Sequence, residues 1–131
     1  MSAQTPTTAE PTVPLVAVVS SYPLVAEALE GALEGIAEVR AFPAGQGDTA
    51  DFLRLLQPAA VVVDSEDEAD AAAAFAQESR ATLVYVSLRE DRLRLLHAGR
   101  WQNLSDGPAS PERIRSAIAA GIYLRGYARE R

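Results

Sequence analysis

Few residues of this chain fall where side-chain chemistry is normally placed. Ser20 and Ser21 follow the apolar run Leu15–Val19, Asp64 follows Ala59–Val63, and Ser87 follows Thr82–Val86. A further position, Ser105, follows Arg100–Leu104, a stretch that holds the single tryptophan, Trp101. Hydroxyls gathered around one carboxylate suit hydrogen bonding to a polar neutral or cationic ligand. Covalent catalysis asks for more, because a serine nucleophile needs a base within hydrogen-bond reach. The only histidine, His97, lies in a different stretch, within a predicted helix. The chain has no cysteine, which excludes thiol catalysis, disulfides and zinc–thiolate sites. Neither G-x-G-x-x-G nor G-x-x-x-x-G-K-[ST] occurs, and the turn Ser20–Pro23 has no glycine. Dinucleotide, nucleotide and flavin phosphates therefore lack their usual cradle. These absences point away from an enzyme, with no cofactor and no metal expected.

The elements that carry these residues are legible in outline. Leu15–Val19 and Ala59–Val63 are short, continuous apolar runs, the pattern of strands buried on both faces of a parallel sheet. After Ser20, either Ser21 or Tyr22 starts a helix with Pro23 in its first turn, where the missing N–H costs nothing. Leu24, Val25, Ala28, Leu29, Ala32, Leu33 and Ile36 recur at helical spacing. A second strand is expected over Glu38–Phe42, and a second helix from Asp48 or Thr49 to Pro58. The acidic, then alanine-rich stretch Glu66–Gln77 reads as a third helix, its acids at the end that the helix dipole favours. Thr82–Val86 is the fourth strand, Glu90–Ala98 a fourth helix and Arg100–Leu104 a fifth strand. Ser110-Pro111-Glu112 opens a last helix. Strand and helix alternate five times, which predicts an α/β, doubly wound, flavodoxin-like sheet of five parallel strands with helices on both faces. Sites in such sheets lie beyond the carboxyl ends of the strands, where Ser20, Ser21, Asp64, Ser87 and Ser105 fall.

The bulk composition bounds the rest. The 131 residues suit one domain, expected over residues 13–125, after a disordered leader (1–12) and before a tail or linker start (126–131). An apolar share of 48% is enough to bury a core. A net charge of −6 with scattered arginines argues against direct nucleic-acid binding by this segment. No apolar run reaches the roughly 18 residues of a membrane span, and the N-terminal residues lack the pattern of a secretory signal. A cytoplasmic protein is expected. Every basic residue other than His97 is arginine, so the chain contains no lysine.

Several stretches together carry a resemblance: "VSSYPLVAEALEGAL", "PAAVVVDSEDEADA", "ATLVYVSLRED" and "SPERIRSAI". In order and spacing they resemble the receiver domain of bacterial response regulators, especially the LuxR/NarL type, over residues 13–124. The resemblance implies a two-component signalling role, commonly in transcription regulation. It places Asp64 at the phospho-acceptor and Ser87 at the hydroxyl that contacts the phosphoryl group. Ser20 and Ser21 stand where that family has a Mg²⁺-binding acidic pair, and Ser105 where it has a lysine. Trp101 lies one residue from the position of an aromatic switch. A magnesium ion is normally held by carboxylates and water. Losing the lysine also removes a charge partner of the kind worth roughly 3–4 kcal/mol in a transition state. The expectation is therefore a degenerate, phosphorylation-independent module that acts by protein–protein contact. The resemblance suggests a homodimer through the face of the fourth helix, fifth strand and last helix, with another regulatory protein or a fused DNA-binding domain as a further partner. Two alternatives stand beside it: a small-ligand sensor using the same pocket, and a receiver weakly phosphorylated at Asp64.

Overall fold

The apolar runs become the centre of a single sheet. The structure, a computed structural model, describes residues 14–45, 47–87, 92–97, 99–104 and 110–130, with the backbone alone for 104 and 122–130. Strands β1 (Leu15–Ser20), β2 (Glu38–Pro43), β3 (Ala60–Val63), β4 (Thr82–Ser87), β5 (Arg92–His97) and β6 (Arg100–Leu104) form one six-stranded sheet in the order β2-β1-β3-β4-β5-β6. Helices α1 (Pro23–Ala32), α2 (Thr49–Leu56), α3 (Glu66–Ser79) and α4 (Pro111–Glu130) complete the described elements. The first four strands are mutually parallel, in the register Val16↔Ala60 and Ala60↔Thr82.

Side-chain alternation along the strands builds two apolar layers. Val16 and Val18 of β1 face α1 and α4, where they pack with Leu29, Leu33, Ile114 and Ile118. Ala17 and Val19 face α2 and α3, where they meet Leu53, Ala72 and Phe75. Both β1 and β3 are buried on both faces, which explains why their sequences show no polar alternation. Pro23 takes the first position of α1 and Pro111 the first of α4. The approach of α4 to the sheet depends on Gly121, where a Cβ would stand 3.0 Å from the Cβ of Thr82 and collide with its hydroxyl. Residues 126–130, expected as tail or linker, continue the backbone of α4.

The last part of the sheet overturns two expectations. Arg92–His97, expected within a helix over Glu90–Ala98, is strand β5, antiparallel to β4, and β6 returns antiparallel to β5. The sheet therefore has six strands rather than five and is mixed rather than all parallel. The docking face of a fourth helix, fifth strand and last helix does not form, because β5 occupies that helix's place. In R-L-R-L-L-H the leucines satisfy either period over six residues. Burial beside β4 on both faces, Leu93 toward α4 and Leu96 toward α3, selects the strand. Two residues connect β5 to β6, and Gly99 supplies the positive φ (79°) that such a short hairpin needs.

Candidate functional site

Parallel pairing of β1 with β3, with Val19 beside Val63, brings the residues after both strands to one end of the sheet. Ser20 ends β1 and Asp64 follows β3 directly; both are half-buried. The Ser20 hydroxyl donates to Asp64 Oδ2 across 2.5 Å and accepts from the Tyr22 backbone N–H at 2.9 Å. One serine thus holds the carboxylate and shapes the turn into α1. Tyr22 sits at the N-cap of α1 and supplies no capping side chain, so the local polar contact at this turn is the one Ser20 makes.

The other expected members divide. Ser21 is exposed and makes no side-chain hydrogen bond among the described residues. Ser87 ends β4, next to β3, at the same end of the sheet and half-buried. Ser105 lies outside the described residues. Trp101 is not brought to Asp64. It lies on edge strand β6, three strand spacings from β3, or about 14 Å. The residue is 38% exposed, with the Arg94 guanidinium 4.8 Å from its ring centroid, a cation–π pair on the sheet face that carries α3. His97 is on β5 rather than a helix, with Nδ1 3.5 Å from the Thr82 hydroxyl. That is the opposite end of β4 from Ser87, so no Ser-His-Asp arrangement forms among the described residues.

The acids that follow Asp64 have separate fates. Glu66 and Asp67 are exposed in the first turn of α3. Glu68 turns inward and is 6% exposed. Its Oε2 accepts from the Gly45 N–H at 2.6 Å and its Oε1 from the buried hydroxyl of Thr49. It therefore fastens α3 to the loop before α2 and is not available to Asp64. Composition alone suggests a solvated acid here. The spacing Ser65-x-x-Glu68 marks the helix start, where the Ser65 hydroxyl accepts from the Glu68 N–H, but it carries no signal for the contacts of the Glu68 carboxylate with Gly45 and Thr49. Among the described residues no group of three or more acidic, histidine or cysteine side chains is placed to hold a metal ion. One carboxylate with hydroxyl neighbours can orient a hydrogen-bonded partner, but it offers a divalent cation few hard, charged ligands.

Comparison of the chain with protein-family models, curated proteins and solved structures gives no match. Among the described residues no helix is long and apolar enough to cross a membrane.

Proposed function

We propose that this chain is a phosphorylation-independent, receiver-like module of bacterial regulation. It is non-enzymatic, cytoplasmic and without a cofactor, and it works by protein–protein contact, homodimerisation foremost, in the service of transcriptional control. The observation that carries the reading is the Ser20–Asp64 hydrogen bond. Asp64 stands at the end of β3, beside β1 and β4, the place the family resemblance gives the phospho-acceptor. Its near neighbour on β1 is a neutral hydroxyl instead of a metal-binding acid. Attack by a carboxylate on phosphorus requires neutralisation of the transferred group's charge. A serine donor supplies one hydrogen bond toward that need and no charge.

The parallel strands β2-β1-β3-β4 support this reading, and the hairpin β5–β6 is where the chain departs from that family's pattern. The test is to incubate the protein with acetyl phosphate, or with beryllofluoride and Mg²⁺, and to record intact mass and amide NMR shifts. Unchanged mass and unchanged shifts around Asp64 are expected. A stoichiometric adduct at Asp64 overturns the reading in favour of a working receiver.

A further inference from the structure

At the same end of the sheet as Asp64, on the face that carries α1 and α4, an apolar groove of about 180 Å³ opens between the first turns of these helices. Leu24, Val25, Ala28, Val86, Pro111 and Ile114 line it. Leu24 stands on its rim with 76% of its surface exposed, a branched apolar side chain beside a cleft with room for one. A knob next to a hole on the same surface is the arrangement a two-fold axis can satisfy twice, since such an interface pairs one patch with itself.

Charge agrees with this geometry. Helix α1 carries Glu27 and Glu30 and no basic residue, whereas the first turns of α4 carry Arg113 and Arg115 beside the single acid Glu112. Helix α1 follows β1 and α4 follows β6, which runs parallel to β1, so both helices start at the groove and run the same way. Pro23 and Pro111 open the two helices, and Glu27 and Arg115 each lie four residues further on, at matching heights. Both are exposed, and neither has an ion-pair partner among the described residues.

We propose that the α1–α4 face is the homodimer interface, with the two copies related by a two-fold axis parallel to these helices. Leu24 of each copy fills the groove of the other, and Glu27 faces Arg115 of the partner subunit. The inference rests on the contact reading above and names its surface and partner.

Sedimentation equilibrium of the full chain tests it. The wild type is expected to show the mass of two chains at micromolar concentration. Leu24→Asp, at an exposed first-turn position where an acid suits the helix dipole, is expected to keep the wild-type circular dichroism. It should weaken association by at least about 30-fold, the effect of losing a central apolar anchor. Glu27→Arg and Arg115→Glu should each weaken it several-fold, and the double variant should recover most of the loss. A wild type that stays monomeric at high micromolar concentration overturns the proposal. So does a dimer indifferent to Leu24→Asp and to both charge reversals, although that result leaves the contact function standing on another surface. An adduct at Asp64 defeats the parent reading by a separate measurement, with the dimer mass unaffected.

Discussion

The Ser20 hydroxyl and Asp64 Oδ2 lie 2.5 Å apart and join the carboxyl ends of two neighbouring parallel strands. The same oxygen of Ser20 accepts from the Tyr22 N–H, so this one atom links β1, the start of α1 and the end of β3. Ser20→Ala should therefore destabilise the fold. A hydrogen bond to a charged group contributes roughly 1.5–3 kcal/mol, and water can replace part of it at a half-buried site. A loss of about 1–2 kcal/mol is expected in urea unfolding, with no change in slope.

Putting acids where the hydroxyls stand should create a cation site. In Ser20→Asp with Ser21→Asp, the acid at position 20 joins Asp64 and the two carboxylates repel without a counter-ion, while the acid at position 21 adds negative charge on the exposed side of the turn. The variant should melt below wild type in EDTA and regain stability as Mg²⁺ is titrated in, while wild type shows no such dependence. Equal responses of the two proteins would show that these side chains do not converge.

Glu68→Gln probes the buried carboxylate. Glutamine can give its oxygen to the Gly45 N–H and its amide to the Thr49 hydroxyl, which then accepts instead of donating, so both bonds survive in neutral form and lose their charge assistance. The expected cost is about 1–2 kcal/mol, the difference between hydrogen bonds to a charged and to a neutral acceptor at a buried site. Amide hydrogen exchange should speed up in Gly45 and the first turn of α2 before it does in β1.

Gly121→Ala should destabilise although alanine is the better helix former. The gain in propensity is about 1 kcal/mol, and overpacking against Thr82 costs about 1–3 kcal/mol. Adding Thr82→Ala removes the obstructing side chain. The double variant is expected to be more stable than the sum of the single effects, a coupling that a thermodynamic cycle measures.

On the opposite face, Arg54 joins α2 to α3 by donating from Nε and Nη2 to the two oxygens of Glu78, at 3.0 and 3.1 Å. These hydrogen bonds are the main reason the Glu78 carboxyl is held below its ordinary value, and slight desolvation opposes them. A depressed carboxyl contributes stability above its unfolded pKa and loses it as pH falls through the folded value. The difference between wild type and Glu78→Gln should thus be present at neutral pH and vanish in the acid range where carboxylates titrate. Both partners are exposed, so the difference should be small and shrink further in molar salt.

Much of the architecture follows from sequence pattern alone, for identifiable reasons. Continuous apolar runs such as Leu15–Val19 and Ala59–Val63 have no polar face to turn toward water, so they become inner parallel strands wherever they pair. Pro23 and Pro111 tolerate few helical positions other than the first turn, and both take the first position. Because β1 and β3 run parallel, Ser20 and Asp64 reach the same sheet end, which places the centre of the candidate site.

The rest needed contacts between residues distant in sequence. Six residues, Arg92–His97, fit a helix or a strand equally well, and the open edge of β4 made them a strand. Ser20 and Ser21 are chemically identical neighbours; the backbone turn points one at Asp64 and leaves the other exposed. Glu66, Asp67 and Glu68 form a uniform acidic run, yet only Glu68 meets Thr49 and Gly45. Local pattern determined which segments would be buried and where the chain would turn, because burial and backbone geometry act on neighbouring residues. Only the tertiary structure determined which polar groups pair, because a hydrogen bond depends on tenths of an ångström between segments some twenty to forty residues apart.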